Sequence, residues 1–103
     1  MKKGIKKSGY SIVRCNGAGV FMAQVVSRSK DGLQAKLKDS RRLWYWSGAA
    51  SLSQLAVEGT KKPSDCKFPV AMSEQDVTGV LEIIPVTDAA FKSISSVPVW
   101  EQK

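Results

Sequence analysis

The chain has 103 residues, 43% of them hydrophobic, which fits a single domain with a modest core. It contains no histidine, so Ser-His and Cys-His nucleophile pairs and a histidine general base are excluded, and a structural zinc would have to be built from scattered acidic residues and two distant cysteines. The formal charge of +7 is uneven: residues 1–50 hold eleven basic and two acidic side chains, whereas residues 51–103 hold five basic and seven acidic. That asymmetry favours phosphate-bearing or polyanionic partners.

Residues 1–8, with Lys2, Lys3, Lys6 and Lys7, read as a flexible basic leader to a compact domain over 9–103. The apolar stretch that follows is interrupted by Arg14, Asn16 and Gln24, so it makes a poor secretory signal, and no run approaches a membrane span. A cytoplasmic protein is expected, with no membrane partner. Tyr10–Cys15 has strand character, and Cys15 reads as a buried thiol; the sequence leaves open whether it pairs with Cys66. Asn16-Gly17-Ala18-Gly19 supplies a turn. Val20–Ser27 is rich in β-formers and leads through Ser29-Lys30-Asp31-Gly32 into Leu33–Leu37, where Leu33, Ala35 and Leu37 alternate with polar residues. A second turn at Lys38-Asp39-Ser40 is predicted to return the chain into a strand over Arg41–Trp46.

The spacing then changes. Leu52, Leu55 and Ala56 recur at helical intervals, Ser51-x-x-Gln54 fits a capping box, and Gly59 suits the residue after the helix. Lys67–Met72 reads as a short strand and Val77–Val86 as a stronger, central one. Thr87 is placed to cap a short helix from Asp88, with Phe91 and Ile94 inward. Val97-Pro98-Val99-Trp100 closes the domain as an edge strand or a partner-facing arm, with Trp100 expected to anchor packing. The fold class is α+β: a small, strongly curved antiparallel sheet, a meander or partial barrel, with one or two short helices.

No GxxxxGK[ST] or GxGxxG motif is present, and Glu74 and Asp76 are the only close acidic pair, so no enzyme is expected and no cofactor is called for. The most informative segment is Arg41–Leu52. In an extended strand Arg42, Trp44 and Trp46 share one face, while Leu43 and Tyr45 share the other. One face can serve the core while the other offers indoles for stacking and a guanidinium for phosphate. Each tryptophan taken singly is more often core. The helix start after Ser47-Gly48-Ala49-Ala50 adds N–H donors and the side chains of Ser51, Ser53 and Gln54. The candidate ligand-binding set is therefore Arg41, Arg42, Trp44, Tyr45, Trp46, Ser51, Ser53 and Gln54, with Lys61 reaching in from the next loop.

The runs RRLWYWSGAASLSQLAVEGTKKP, CKFP, EIIPVT and SVPVW resemble a family of short, uncharacterised proteins of tailed phages and prophages, over about residues 18–100. The resemblance implies a phage accessory protein in the host bacterial cytoplasm, non-enzymatic on the residue evidence above, and it transfers no functional residue. By analogy it points to a homo-oligomeric sponge that sequesters a small anionic nucleotide signal and so counters host defence. The alternatives are a nucleic-acid-binding module using the basic N-terminal half, and a protein-interaction or virion-associated part.

Overall fold

A computed structural model describes residues 7–102. Five antiparallel strands, β1 (Lys7–Cys15), β2 (Gly19–Arg28), β3 (Gln34–Arg42), β4 (Met72–Thr78) and β5 (Val80–Thr87), lie in the order β4-β3-β2-β1-β5. Two helices, α1 (Leu52–Glu58) and α2 (Asp88–Ser95), complete an α+β fold. Residues 1–6 of the expected leader lie outside the described residues. Lys7 and Ser8 already belong to β1, where the Ser8 hydroxyl donates to the Val86 carbonyl at 2.9 Å.

One residue brings the two edges of the sheet together. β4 and β5 lie at opposite ends of the strand order, yet Gly79 alone joins them. Gly79 has φ +72°, and its carbonyl accepts the Asn16 N–H at 2.8 Å while the Val80 N–H reaches the Leu33 carbonyl. The edges therefore meet at one corner, although β4 and β5 do not pair along their lengths. This corrects the reading of 77–86 as one central strand: the segment is two edge strands split at a kink. Pro85, which has no N–H to give, is accommodated on the β5 edge.

Curling buries both faces of the middle strands. Val13, Cys15, Phe21, Ala23, Ala35, Leu37, Val77 and Val80 fill the inside of the curl. Ile12, Met22, Val86, Leu43 and Phe68 pack on the other side against Leu55, Ala56, Ala90 and Ile94 of the helices. Cys15 and Cys66 are thus free thiols in separate cores, and burial pushes the Cys15 thiol up from its ordinary pKa. The two helices touch through Gly59 (φ +79°), where a Cβ would stand 2.4 Å from Ser93; the Ser93 hydroxyl in turn accepts the Thr60 N–H. Thr87 caps α2 as expected, accepting the Ala90 N–H at 3.0 Å.

The turn expected at Lys38–Ser40 is a bulge instead. Asp39 sits at φ +51° inside β3, and the pairs Gln24↔Lys38 and Met22↔Arg41 show one extra residue on this strand. Turn-forming chemistry is present, but it twists the strand rather than reversing it. The extra residue re-aims everything after it. Arg41 now shares the helix-side face with Met22, and Arg42 shares the other with Phe21, over whose ring its guanidinium lies 4.7 Å from the centroid.

Arg41 is only 8% exposed. Its guanidinium donates to four carbonyls: Nε to Pro69 (3.1 Å), Nη1 to Ile94 (3.2 Å), and Nη2 to Phe68 (3.1 Å) and Val97 (2.8 Å). A planar fork with five donors suits this task, and desolvation lowers its pKa without neutralising it. No described buried side-chain nitrogen or oxygen lacks a hydrogen-bond partner. Replacing Arg41 by Lys keeps the charge but cannot reproduce four divergent bonds. Arg41→Lys is expected to lower unfolding stability by about 2–4 kcal/mol, since each orphaned buried acceptor costs on the order of 1–3 kcal/mol. Denaturant melts monitored by circular dichroism read this out; a loss within experimental error contradicts the assignment.

Candidate functional site

β3 ends at Arg42, so residues 43–46 are not a continuation of the strand; Tyr45 makes only an isolated bridge, with Lys67. Leu43 donates its N–H to the Val20 carbonyl at 2.8 Å and plunges into the core. With Leu43 buried, Arg42 and Trp44 face outward on either side of it, and Trp46 is half-buried against the same core. The predicted trio Arg42, Trp44 and Trp46 does come together. With Gly17, Ala18, Gly19 and Val20 from the β1–β2 turn, these three side chains and Leu43 line a groove of about 300 Å³. Gly17 and Gly19 present bare backbone there, at φ +86° and +106°.

Trp44 has a second neighbour. Its indole stacks on that of Trp100 with centroids 4.9 Å apart and planes 10° from parallel. The Lys67 ammonium lies 5.7 Å from the Trp44 ring, 5.6 Å from Trp100 and 5.9 Å from Tyr45. Two bridges hold these segments, Tyr45↔Lys67 and Phe68↔Val99, and the Trp100 N–H donates to the Phe68 carbonyl at 3.0 Å. The expected strand over Lys67–Met72 is reduced to those bridges, with β4 starting at Met72. The stack adds about 0.5–1.5 kcal/mol beyond its buried area and fixes both rings in place.

The other candidates lie elsewhere. Arg41 is engaged by the fold and is withdrawn from the ligand set. Ser51 accepts the Gln54 N–H at 3.2 Å, and Gln54 Oε1 accepts the Ala50 N–H at 2.7 Å, so both side chains complete the cap of a helix of seven residues. Those contacts engage the Ala50 and Gln54 N–H groups, two of the donors that were expected to meet phosphate. Ser53 is exposed on α1, and neither it nor Lys61 lines the groove. The Lys61 N–H ties its loop to the Gly48 carbonyl at 3.2 Å. Tyr45 is half-exposed outside the groove, beneath Lys67. Lys67, Trp100 and the glycine turn were missed by sequence reasoning: each joins the site through long-range pairing, which leaves no local signal.

Two further hollows exist. One lies at the β2–β3 and β4 ends, bordered by Arg28, Lys36 and Asp76, where Lys36 is paired with Asp76 at 3.6 Å. The other, between Tyr10, Asp39, Arg41 and Phe91, is mostly apolar, and burial and then the Asp39 carboxylate raise the Tyr10 phenol pKa. Neither combines a free cation with stacking surfaces. Among the described residues no cluster of metal-ligating side chains is present and no helix is long and apolar enough to cross a membrane.

Residues 8–94 match the family described as a domain of unknown function (DUF6948), and the chain belongs to that family. No curated protein and no solved structure matches it significantly.

The indole stack has a spectroscopic consequence. Far-ultraviolet circular dichroism should show an exciton couplet that Trp44→Phe or Trp100→Phe abolishes and Trp46→Phe retains. Acrylamide quenching should likewise fall most on removal of Trp44, which is 58% exposed. A couplet that survives Trp100→Phe would contradict the stacked arrangement.

Proposed function

We propose that this protein is a non-enzymatic binder of a nucleotide-like ligand, one carrying both a flat base and a phosphate, in the groove between the β1–β2 turn and residues 42–46. The observation that carries the reading is that Arg42, Trp44 and Trp46 line one groove together with Gly17 and Gly19. Arg42 is exposed, and its guanidinium already rests on the Phe21 ring, which pre-orients it as a bidentate phosphate donor. The indoles supply stacking area at low entropic cost. Gly17 and Gly19 let a ligand approach the backbone closely. The non-enzymatic part rests on the lack of histidine in the sequence.

The phage setting belongs to this proposal too. In a host bacterial cytoplasm, such a groove would let a small homo-oligomeric protein hold a nucleotide signal away from its receptor, and self-association would add burial that a chain of this size lacks.

Calorimetry and native mass spectrometry against linear, cyclic and ADP-ribose-type nucleotides test the reading and report the oligomeric state at the same time. Micromolar binding of at least one of them is expected. Arg42→Ala should weaken it by about 10- to 100-fold, in line with loss of a charge-assisted hydrogen bond. Ser51→Ala and Lys61→Ala, whose side chains lie away from the groove, should leave affinity unchanged. Absence of binding across the panel rejects the proposal.

A further inference from the structure

The groove does not end at Trp44. An indole has two faces, and stacking on Trp100 covers one face of Trp44 and one of Trp100. Trp44 nevertheless remains 58% exposed and Trp100 42% exposed, so each keeps surface that the stack does not cover. One end of the pair lines the groove through Trp44; the other end, Trp100, lies beyond it. Two stacking platforms therefore stand back to back, with their ring centroids 4.9 Å apart. With a contact distance of about 3.5 Å on each side, bases on the two outer faces would lie about 12 Å apart. Lys67 sits beside both rings at 5.7 and 5.6 Å from their centroids, so its ammonium lies between the two base positions rather than at either.

A mononucleotide uses only the groove side of this arrangement. From the second platform and the cation between the two, we infer that the ligand is a single-stranded nucleic acid, which stacks one base on Trp44 in the groove, passes its backbone across Lys67, and stacks a later base on Trp100. This rests on the groove reading above and narrows its ligand class. Charge argues against a second copy of this chain as the occupant: a two-fold interface over the patch would bring Lys67 towards its own copy, and each chain carries +7. A polyphosphate backbone supplies the opposite charge at that point, and stacking on both sides tolerates any base sequence.

The full-length protein can be titrated with fluorescein-labelled eight-nucleotide oligothymidylate and oligouridylate, and with thymidine and uridine 5′-monophosphates in parallel; the two sugar series separate DNA from RNA. Either oligonucleotide is expected to bind at least tenfold more tightly than its mononucleotide. Trp100→Ala should cost the oligonucleotide about tenfold, as for loss of one base stack, and change mononucleotide affinity less than twofold. The slope of log K against log salt should be about −1.4 for phosphate contacts from Arg42 and Lys67, and Lys67→Ala should reduce it to about −0.7 while circular dichroism confirms the fold. If mononucleotides bind and the strand gains nothing, or if Trp100→Ala leaves strand affinity intact, the extended track is wrong and the groove reading survives. If neither strands nor mononucleotides bind, both fall. A change of oligomeric state in Trp100→Ala without a change in strand affinity would assign the patch to self-association and overturn the inference.

Discussion

The buried guanidinium of Arg41 is the contact on which the rest of the arrangement depends. From the end of β3 it holds the carbonyls of Phe68 and Pro69 and those of Ile94 and Val97, two chain segments remote from β3 and from each other in sequence. The residue next to Phe68 is Lys67, and three residues past Val97 is Trp100. By fastening these carbonyls, Arg41 brings Lys67 and Trp100 alongside Trp44 and Tyr45. Its N–H donors are engaged by backbone carbonyls inside the fold. Its neighbour Arg42, one step along the backbone, faces the opposite side and carries the free charge. Two adjacent arginines of identical chemistry thus divide into a structural and an exposed one, and the Asp39 bulge determines which is which.

The parts of the fold set by local periodicity were legible in the sequence. The curved α+β sheet, the cap at Ser51, the end of α1 at Gly59 and the start of α2 after Thr87 all follow from residues within a few positions of one another. Two readings failed for a shared reason. Asp39 and Gly79 each carry turn chemistry, and turn chemistry states only that the backbone visits a positive φ there. Whether the chain then reverses, bulges or kinks depends on which strands lie alongside, and that is a tertiary matter. At Lys38–Ser40 a reversal was expected where a bulge occurs, and at 77–86 continuity was expected where Gly79 splits the strand.

The site shows the same division. Alternation groups Arg42, Trp44 and Trp46, and the structure brings the three together even though the strand stops at Arg42, because Leu43 is drawn into the core and Arg42 and Trp44 are left outside. The helix-start residues were grouped with them by proximity in sequence, but Ser51 and Gln54 use their hydrogen-bonding capacity on each other's backbone surroundings. Trp100 was expected to anchor packing and instead stands 42% exposed on the surface. Its place beside Trp44 depends on a parallel bridge between Phe68 and Val99, which no pattern within the SVPVW run can announce.

The one-residue link at Gly79 also bears on how the protein comes to be folded. β5 must pair with β1, laid down some seventy residues earlier, and β4 with β3, before both edges of the three-stranded meander have partners. A nascent chain can zip the β1–β2 and β2–β3 hairpins early, but the Gly79 corner can lock only when residues 72–87 arrive, and Arg41 finds its last carbonyl only with Val97. Until then both concave and convex apolar faces stand open. Closure of these long loops carries much of the entropic cost of the topology, and the Trp44–Trp100 stack is itself a contact between segments remote in sequence.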